Sequence, residues 1–502
     1  MLFVCLLFVS YCKNQTIIND TPIINASFKC ENIESIQISN PVKMIGTYAF
    51  FKCNELKSVI ISSDSSVRII GDFAFAFCDN LESVIISRSV EIIGGSSFYR
   101  CVKLKSVVFS NESSLKLIGN YTFAKCSSLE SIIIPKSIQE ISKSAFYCCT
   151  NLKSVVFSNK SDLQLIRIQS FEECLNLESI IIPKLVRRID HFAFHKCTKL
   201  KSVIFSNDPS LNFIGGYAFA ECSSLESMII PKLVELIYYY GFFECKNLKS
   251  VMLSDKSSLS IIEEFAFAEC CNLESIVIPG SVNLIGKNAF SNCTKLNSAT
   301  FLKPPPKSHW SIVNSVLDFL SILPFTICDK ITGNKPNFEY NYKIREYAFY
   351  GCKNLKTVEF LDEHSIQSIG NNAFAQCSSL ESFILPSSIK SIEEKTFYNC
   401  SKLSKFVILR DSLLNSIGIR AFGYCSKLHI FFIPNDIKSI QSFAFEGCIE
   451  LEKIYYYGIK EPKVAENSFS GCTNFKEIYV TEFYQNNLFG GIKIKRIPLS
   501  GR

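Results

Sequence analysis

Short apolar segments with two different patterns alternate along the chain. The first, as in residues 129–134 (Leu-Glu-Ser-Ile-Ile-Ile), is rich in β-branched residues and predicts a short strand. Its first, fourth and sixth positions are expected to face a core, so the fifth position faces outward. The second pattern, Ile-Gly-x-x-Ala-Phe-x-x-Cys, predicts a short helical turn with Ala, Phe and Cys on one face. The glycine in it, as at Gly71, predicts a turn with positive φ.

These segments recur with a fixed period, marked by one cysteine in each repeat. The spacing between consecutive cysteines alternates between 23 and 25 residues, so the true period is a 48-residue pair. We call the two units the short repeat and the long repeat. Such a period predicts one repeat solenoid rather than several globular domains of about 150 residues.

Most short repeats have a proline directly after the predicted strand. These prolines are Pro135, Pro183, Pro231, Pro279, Pro386 and Pro434. Because proline cannot donate to a strand ladder, pairing between neighbouring strands is expected to stop at this residue.

The strand, the proline and the Ile-Gly-x-x-Ala-Phe-x-x-Cys segment together resemble the leucine-rich repeat, and specifically the BspA-like (Treponema-type) class of surface proteins. The resemblance covers roughly residues 26–480. It implies a solenoid with a parallel β-sheet on one face and short helical turns or loops on the other. It also implies an exported, non-enzymatic surface antigen or adhesin. The asparagine that usually follows the strand is absent, so an asparagine ladder is not expected.

The pattern divides the chain into five parts. Residues 1–12 are typical of a secretory signal peptide, with a capping strand as the alternative. Repeat blocks span residues 13–296 and 344–480, and residues 481–502 are expected to form a C-terminal cap from a short helix, a Gly-Gly turn and a strand. Residues 297–343 break the period, and Cys328 marks a degenerate repeat there, giving nineteen units. The alternatives are an error in the gene model and a hinge between the blocks.

Twenty-three cysteines in an exported protein would ordinarily suggest disulfides. The repeated cysteine, however, stands where a small apolar side chain faces the core. Stacked side chains in register seldom offer the dihedral angle of a disulfide, so a reduced, buried column is expected. The doublets at residues 148–149 and 270–271 leave Cys148 and Cys271 outside this column, either as exposed reactive thiols or as additional core residues.

Charge and motif content exclude several classes of function. A formal net charge of +7 over 502 residues does not indicate a nucleic-acid partner. The second strand position alternates Lys and Glu from Lys57 to Glu274, which predicts a ladder of opposite charges without a net field. His191 and His195 occupy variable positions of one repeat, so a surface or structural role is expected rather than a metal site. We expect no enzymatic activity, no cofactor and no transmembrane segment.

The fifth strand position is the candidate ligand-contact site, because it forms a continuous apolar row on the outer sheet face. The candidate residues are Ile85, Val108, Ile133, Val156, Ile181, Ile204 and Ile229. The expected partner is a protein or glycan on host or microbial cells, and the expected location is extracellular or at the cell surface. The alternatives are that this row only shields the sheet, or that it supports self-association of a structural scaffold.

Three Asn-x-Ser/Thr sequences lie in predicted turns and are candidate glycosylation sites if the protein is exported by a eukaryote. They begin at Asn111, Asn120 and Asn159. Chance occurrence in a repeat rich in Asn and Ser is the alternative.

Overall fold

The computed structural model describes residues 15–18, 21–25, 30–254, 256–304, 342–362 and 366–498. All the regular elements among these residues are β-strands. The chain divides into two compact units, Met1–Leu225 and Glu226–Arg502. In both units, a typical repeat contributes a four-residue front strand and a two-residue second strand.

The first unit contains eighteen of the described strands. Its front strands are β1 (Gln15–Ile18), β3 (Ser35–Ile38), β5 (Ser58–Ile61), β7 (Ser83–Ile86), β9 (Ser106–Phe109), β11 (Ser131–Ile134), β13 (Ser154–Phe157), β15 (Ser179–Ile182) and β17 (Ser202–Phe205). Its second strands are β2 (Ile23–Ile24), β4 (Met44–Ile45), β6 (Ile69–Ile70), β8 (Ile92–Ile93), β10 (Leu117–Ile118), β12 (Glu140–Ile141), β14 (Leu165–Ile166), β16 (Arg188–Ile189) and β18 (Phe213–Ile214). Paired front strands are parallel and in register, so that Ile133 lies opposite Val156.

The second unit continues the same alternation. Its front strands are β19 (Ser227–Ile230), β21 (Ser250–Leu253), β23 (Ser275–Ile278), β25 (Ser298–Phe301), β27 (Thr357–Phe360), β29 (Ser382–Leu385), β31 (Lys405–Ile408), β33 (Ile430–Ile433), β35 (Lys453–Tyr456), β37 (Glu477–Thr481) and β39 (Ile492–Ile497). Its second strands are β20 (Leu236–Ile237), β22 (Ile261–Ile262), β24 (Leu284–Ile285), β26 (Tyr342–Ile344), β28 (Ile366–Ile369), β30 (Ser391–Ile392), β32 (Ser416–Ile417), β34 (Ser439–Ile440), β36 (Lys463–Val464) and β38 (Leu488–Phe489). The predicted parallel solenoid is therefore confirmed.

Where short and long repeats alternate, the front ladder has complete and incomplete pairing at alternate steps. From a short repeat to the following long repeat, all four residues pair, as between β15 and β17. We call this a closed step. From a long repeat to the following short repeat, only two residues pair between β13 and β15, and one between β21 and β23. We call this an open step.

Proline accounts for the open steps. In long repeats the residue after the strand donates its N–H to the preceding repeat, as Ser206 does to the carbonyl of Ile182 at 3.1 Å. The equivalent residue of a short repeat is a proline such as Pro183, which has no N–H to donate. Where Ser87 replaces that proline, β5 and β7 keep three pairs. The expected effect of proline on pairing is thus confirmed.

The second sequence pattern does not form the predicted short helical turn, and the described residues contain no helix. Its N–H groups alternate between two kinds of acceptor. The N–H of Ala49 donates to Gly46 within the repeat at 3.2 Å, whereas the N–H of Phe50 donates to Ala74 of the next repeat at 2.7 Å. Tyr48 has a φ of 58°, a left-handed conformation that a right-handed helix excludes. This segment therefore forms a further ladder between repeats.

The glycine of this segment has a different role from the predicted one. Gly71 has no positive φ, but a Cβ added there would lie 2.6 Å from the backbone nitrogen of Thr47. Gly71 therefore permits the close approach of two neighbouring repeats.

The repeats on either side of the irregular segment are direct neighbours. β25 and β27 pair over four residues, and the rings of Phe290 and Phe349 stack with centroids 5.2 Å apart. The degenerate repeat predicted at Cys328 and the signal peptide predicted for residues 1–12 lie outside the described residues. The five-part division of the chain stays a prediction.

The end of the second unit differs in part from the predicted cap. The turn at Gly490 and Gly491, with φ of 58° and 82°, joins β38 to β39, and β39 also pairs in parallel with β37. The helix expected before this turn is absent from the described residues.

Candidate functional site

The front strands alternate buried and exposed side chains, as the sequence pattern predicts. In β11, Ile132 and Ile134 are each 1% exposed, whereas Ile133 between them is 67% exposed. A four-residue strand with this alternation buries two side chains in the core and presents two on the outer sheet face.

In the first unit the exposed fifth positions form the predicted apolar row, which we call the front row. Its members are Ile85, Val108, Ile133, Val156, Ile181 and Ile204, and each of them is exposed by 40 to 67%. The register pairs them across closed steps, with Ile85 opposite Val108 and Ile181 opposite Ile204. Six exposed β-branched side chains on adjacent strands give the outer face an apolar surface.

In the second unit the front row changes character along the chain. It begins with Ile229 opposite Met252, which are 54% and 52% exposed. Further along, Thr300 lies opposite Glu359, so the row becomes polar on either side of the irregular segment. Ile384 restores an apolar side chain that is 50% exposed.

The last repeats replace the aliphatic front row with aromatic rings, which the sequence analysis did not identify as a site. Phe432 stacks on Tyr455 at 5.1 Å, and Tyr455 stacks on Tyr479 at 5.0 Å. The ammonium group of Lys495 lies 5.5 Å from the Tyr479 ring centroid. The stacked rings cover one another's faces and present their edges outward. The sequence signal was the aromatic residue at the fifth position of three consecutive strands.

One open step in the second unit forms a small cleft. It lies between β27 and β29 and has a volume of about 310 Å³. The lining residues are Val358, Glu359, Phe360, Leu361, Ile384 and Pro386. An apolar cleft with one carboxylate at its rim can accept an apolar side chain that carries a positive charge nearby.

The predicted charge ladder is present, but its ion pairs follow the closed steps. Glu82 pairs with Lys105, and Glu130 pairs with Lys153, each at 3.0 Å. Both pairs bridge a short repeat to the following long repeat. Such exposed pairs contribute about 0.2–1 kcal/mol each and leave no net field for a charged ligand.

The repeated cysteines form the predicted buried column, with one correction at its N-terminal end. Interior thiols donate to the carbonyl of the core phenylalanine of the preceding repeat, as Cys126 does to Phe98 at 3.2 Å. Burial raises the pKa of Cys126 to about 12. Cys30 and Cys53, in contrast, form a disulfide with a Cα–Cα distance of 5.5 Å. Cys30 is only half-buried, at the end of the column, and this distance lies in the usual range for disulfides.

The two cysteines outside the column are half-buried. The Cys148 thiol donates to the Glu173 carboxylate at 2.9 Å. Burial, assisted by this carboxylate, raises the pKa of Cys148 to about 11, which disfavours the reactive thiolate.

The two histidines of the candidate metal cluster have separate partners. The Nδ1 and Nε2 atoms of His195 face the carboxylates of Glu172 and Glu221 at 2.8 and 3.2 Å. His191 accepts a hydrogen bond from the N–H of Gly216 at 2.7 Å, and burial lowers the pKa of His191. Across the described ranges, no three His, Cys, Asp or Glu side chains are arranged to hold a metal ion.

Asn111, Asn120 and Asn159 are all exposed on turns, so a glycan would have room, and their modification stays a prediction. The described part of the chain contains no helix that is long and apolar enough to span a membrane.

Comparison with known proteins identifies the repeat. The profile of the BspA type leucine rich repeat region matches six times, over residues 21–116, 116–248, 164–297, 212–342, 325–413 and 408–501. The chain belongs to the BspA-type leucine-rich repeat family. Leucine-rich repeat proteins of this kind are typically non-enzymatic interaction proteins.

One solved structure supports the fold of this BspA-type protein, and a second is similar in sequence. A leucine-rich repeat protein from Bacteroides ovatus is 24% identical, with 88% of this chain and 92% of that chain covered and a TM-score of 0.53. A leucine rich cell surface protein from Faecalibacterium prausnitzii is 23% identical, with 84% and 87% covered and a TM-score of 0.28. Among curated proteins, none matches the chain.

Proposed function

We propose that this protein is an exported recognition protein, a surface antigen or adhesin, that binds a protein on host or microbial cells through its front row. The observation that carries this proposal is the row of exposed Ile and Val side chains in the first unit. A contiguous apolar patch of this kind marks contact surfaces on soluble proteins. The family's general role in protein interaction supports it.

The aromatic residues of the front row, Phe432, Tyr455 and Tyr479, favour a protein over a glycan as the ligand. The faces of Tyr455 are covered by Phe432 and Tyr479, so a ligand meets ring edges and phenol hydroxyls. Tyrosine side chains with this mixed character are enriched at protein interfaces. The cleft beside Phe360, with Glu359 at its rim, adds a place for an apolar or basic side chain of the partner.

Export is part of the proposal. The Cys30–Cys53 disulfide supports it, because disulfides persist in oxidising compartments. The apolar residues 1–12, which are typical of a signal peptide, support it as well.

Binding of the purified protein to epithelial cells and matrix proteins tests the proposal. In the double variant Ile133→Glu with Ile181→Glu, two charges stand in the front row where the partner would have to desolvate them. We expect at least about a tenfold loss of affinity, which corresponds to about 1.4 kcal/mol. Circular dichroism establishes that the variant is folded.

A matched control uses exposed apolar residues of the same unit that lie outside the front strands. Ile168 and Leu175 are 39% and 37% exposed. The double variant Ile168→Glu with Leu175→Glu is expected to bind like the unchanged protein. Equal loss in both variants, or unchanged binding of the front-row variant, would contradict the front-row site, and sugar competition would identify a glycan ligand instead.

Self-association is the second candidate function, and the same front row motivates it, because a flat apolar face can pack against its copy. Light scattering over a concentration series separates the two functions. A strict monomer that binds cells supports recognition, and concentration-dependent oligomers without cell binding support a scaffold.

A further inference from the structure

The cysteine at the C-terminal end of the column differs from those inside it. Cys472 is half-buried, whereas Cys425 and Cys448 are fully buried. Cys472 and Cys448 donate to the carbonyls of Phe445 and Phe422, each at 3.1 Å, so both side chains keep the register of the column. The two thiols are neighbours on consecutive repeats, and Cys472 is accessible to solvent.

The difference in burial divides the two thiols into different chemical roles, because an external disulfide can reach Cys472 but not Cys448. The proximity of the two thiols lowers the pKa of Cys472 and, together with burial, raises the pKa of Cys448. The thiolate is the nucleophile in thiol–disulfide exchange. Cys472 is therefore suited to attack an external disulfide, and Cys448 to complete the exchange behind it.

The other end of the column already has the oxidised form of this arrangement. Cys30 is half-buried at the end, Cys53 is buried behind it, and the two form a disulfide between consecutive repeats. The pair Cys472 and Cys448 has the same combination of an outer, accessible thiol and an inner, buried one.

We propose that Cys448 and Cys472 form a second terminal disulfide by exchange with a small-molecule disulfide. The Cys472 thiolate attacks one sulfur of that molecule, whose S–S bond breaks and releases one thiolate. The thiolate that Cys448 forms on losing its proton then attacks the Cys472 sulfur and releases the second half of the molecule. Two cysteine thiols are oxidised and one external disulfide is reduced to two thiols.

The consequence is a covalent bond between the last two repeats of the cysteine column. Terminal repeats of an array have a neighbour on one side and open more readily than interior repeats. Phe469, the last phenylalanine of the core column, is half-buried. A bond between Cys448 and Cys472 holds this repeat against the one before it. This inference is independent of the proposed ligand.

The test treats the full-length protein at neutral pH with glutathione disulfide, followed by acid quenching, alkylation and peptide mapping by mass spectrometry. We expect a peptide pair linked through Cys448 and Cys472, while interior cysteines such as Cys222 remain alkylated as thiols. The linked form should also show slower hydrogen exchange in the peptides around Phe469 than the reduced form.

The variant Cys472→Ser should abolish the linkage, whereas Cys148→Ser, which removes another half-buried thiol, should leave it intact. Native alkylation at neutral pH should modify Cys472 at least about ten times faster than Cys148 in the unchanged protein. A stable mixed disulfide at Cys472 without linkage to Cys448 would overturn the proposal, as would faster modification of Cys148. The mapping of the unchanged protein decides the question even if a variant does not fold.

Discussion

At the residue scale, equivalent core side chains of successive repeats stack on one another. Phe146 is fully buried, and its ring stacks between Phe123 and Phe171 with centroid distances of 5.5 and 5.3 Å. The carbonyl of Phe146 also accepts the Cys174 thiol at 3.3 Å. One residue thus supports the repeat before it and the repeat after it, which explains why the Phe and Cys positions tolerate little variation along the chain.

The substitution Phe146→Ala should destabilise the first unit by about 3–5 kcal/mol, because it leaves a cavity between two stacked rings. Denaturant unfolding measures this loss, and hydrogen exchange should show it in the adjacent repeats. Ile133→Ala in the same repeat removes a side chain that is 67% exposed and should cost less than about 1 kcal/mol. Comparable losses in the two variants would show that the ring column does not stabilise the array.

At the element scale, the front strands and their outward positions were predictable because alternation within four residues is a local signal. The conformation of the second segment was not predictable, because some of its N–H groups donate to carbonyls of the next repeat, as Phe50 does to Ala74. Spacing of Ala, Phe and Cys alone cannot distinguish that ladder from a helical turn. Gly71 illustrates the same limit, since the close approach of Thr47 is a contact between repeats that no local pattern contains.

Reversal of one charge in an ion pair tests how much that pair contributes to the stability of a closed step. Glu130→Lys places two ammonium groups where Glu130 and Lys153 are now 3.0 Å apart. We expect a loss of about 0.5–1 kcal/mol in low salt that diminishes in 1 M salt, because exposed charges are screened. Thermal unfolding at two salt concentrations measures it.

The charge-swapped double variant, Glu130→Lys with Lys153→Glu, is the control for this experiment. It restores opposite charges across the same closed step and should recover most of the lost stability. No recovery would mean that the substitution acts through strand packing instead of charge.

At the scale of the whole molecule, the building block is the pair of repeats that one closed step joins. Four paired residues and one Glu–Lys bridge hold such a pair together, as between β7 and β9, whereas proline loosens the step that follows. The 48-residue period was readable from the sequence. The direct pairing of β25 with β27 was not, because a break in the cysteine spacing does not show which strands become neighbours across it.

Two deletions within the first unit test this building block. Removal of residues 104–151 joins β7 to β13, which recreates a closed step with Glu82 beside Lys153, so we expect a melting temperature close to that of the unchanged protein. Removal of residues 104–128 joins β7 to β11, which places Glu82 beside Glu130 and puts Pro135 after the second strand. Because this step lacks both the ion pair and the N–H donor, the smaller deletion should lower the melting temperature by more than about 5 °C. Equal melting temperatures would show that single repeats, and not pairs, are the units of stability.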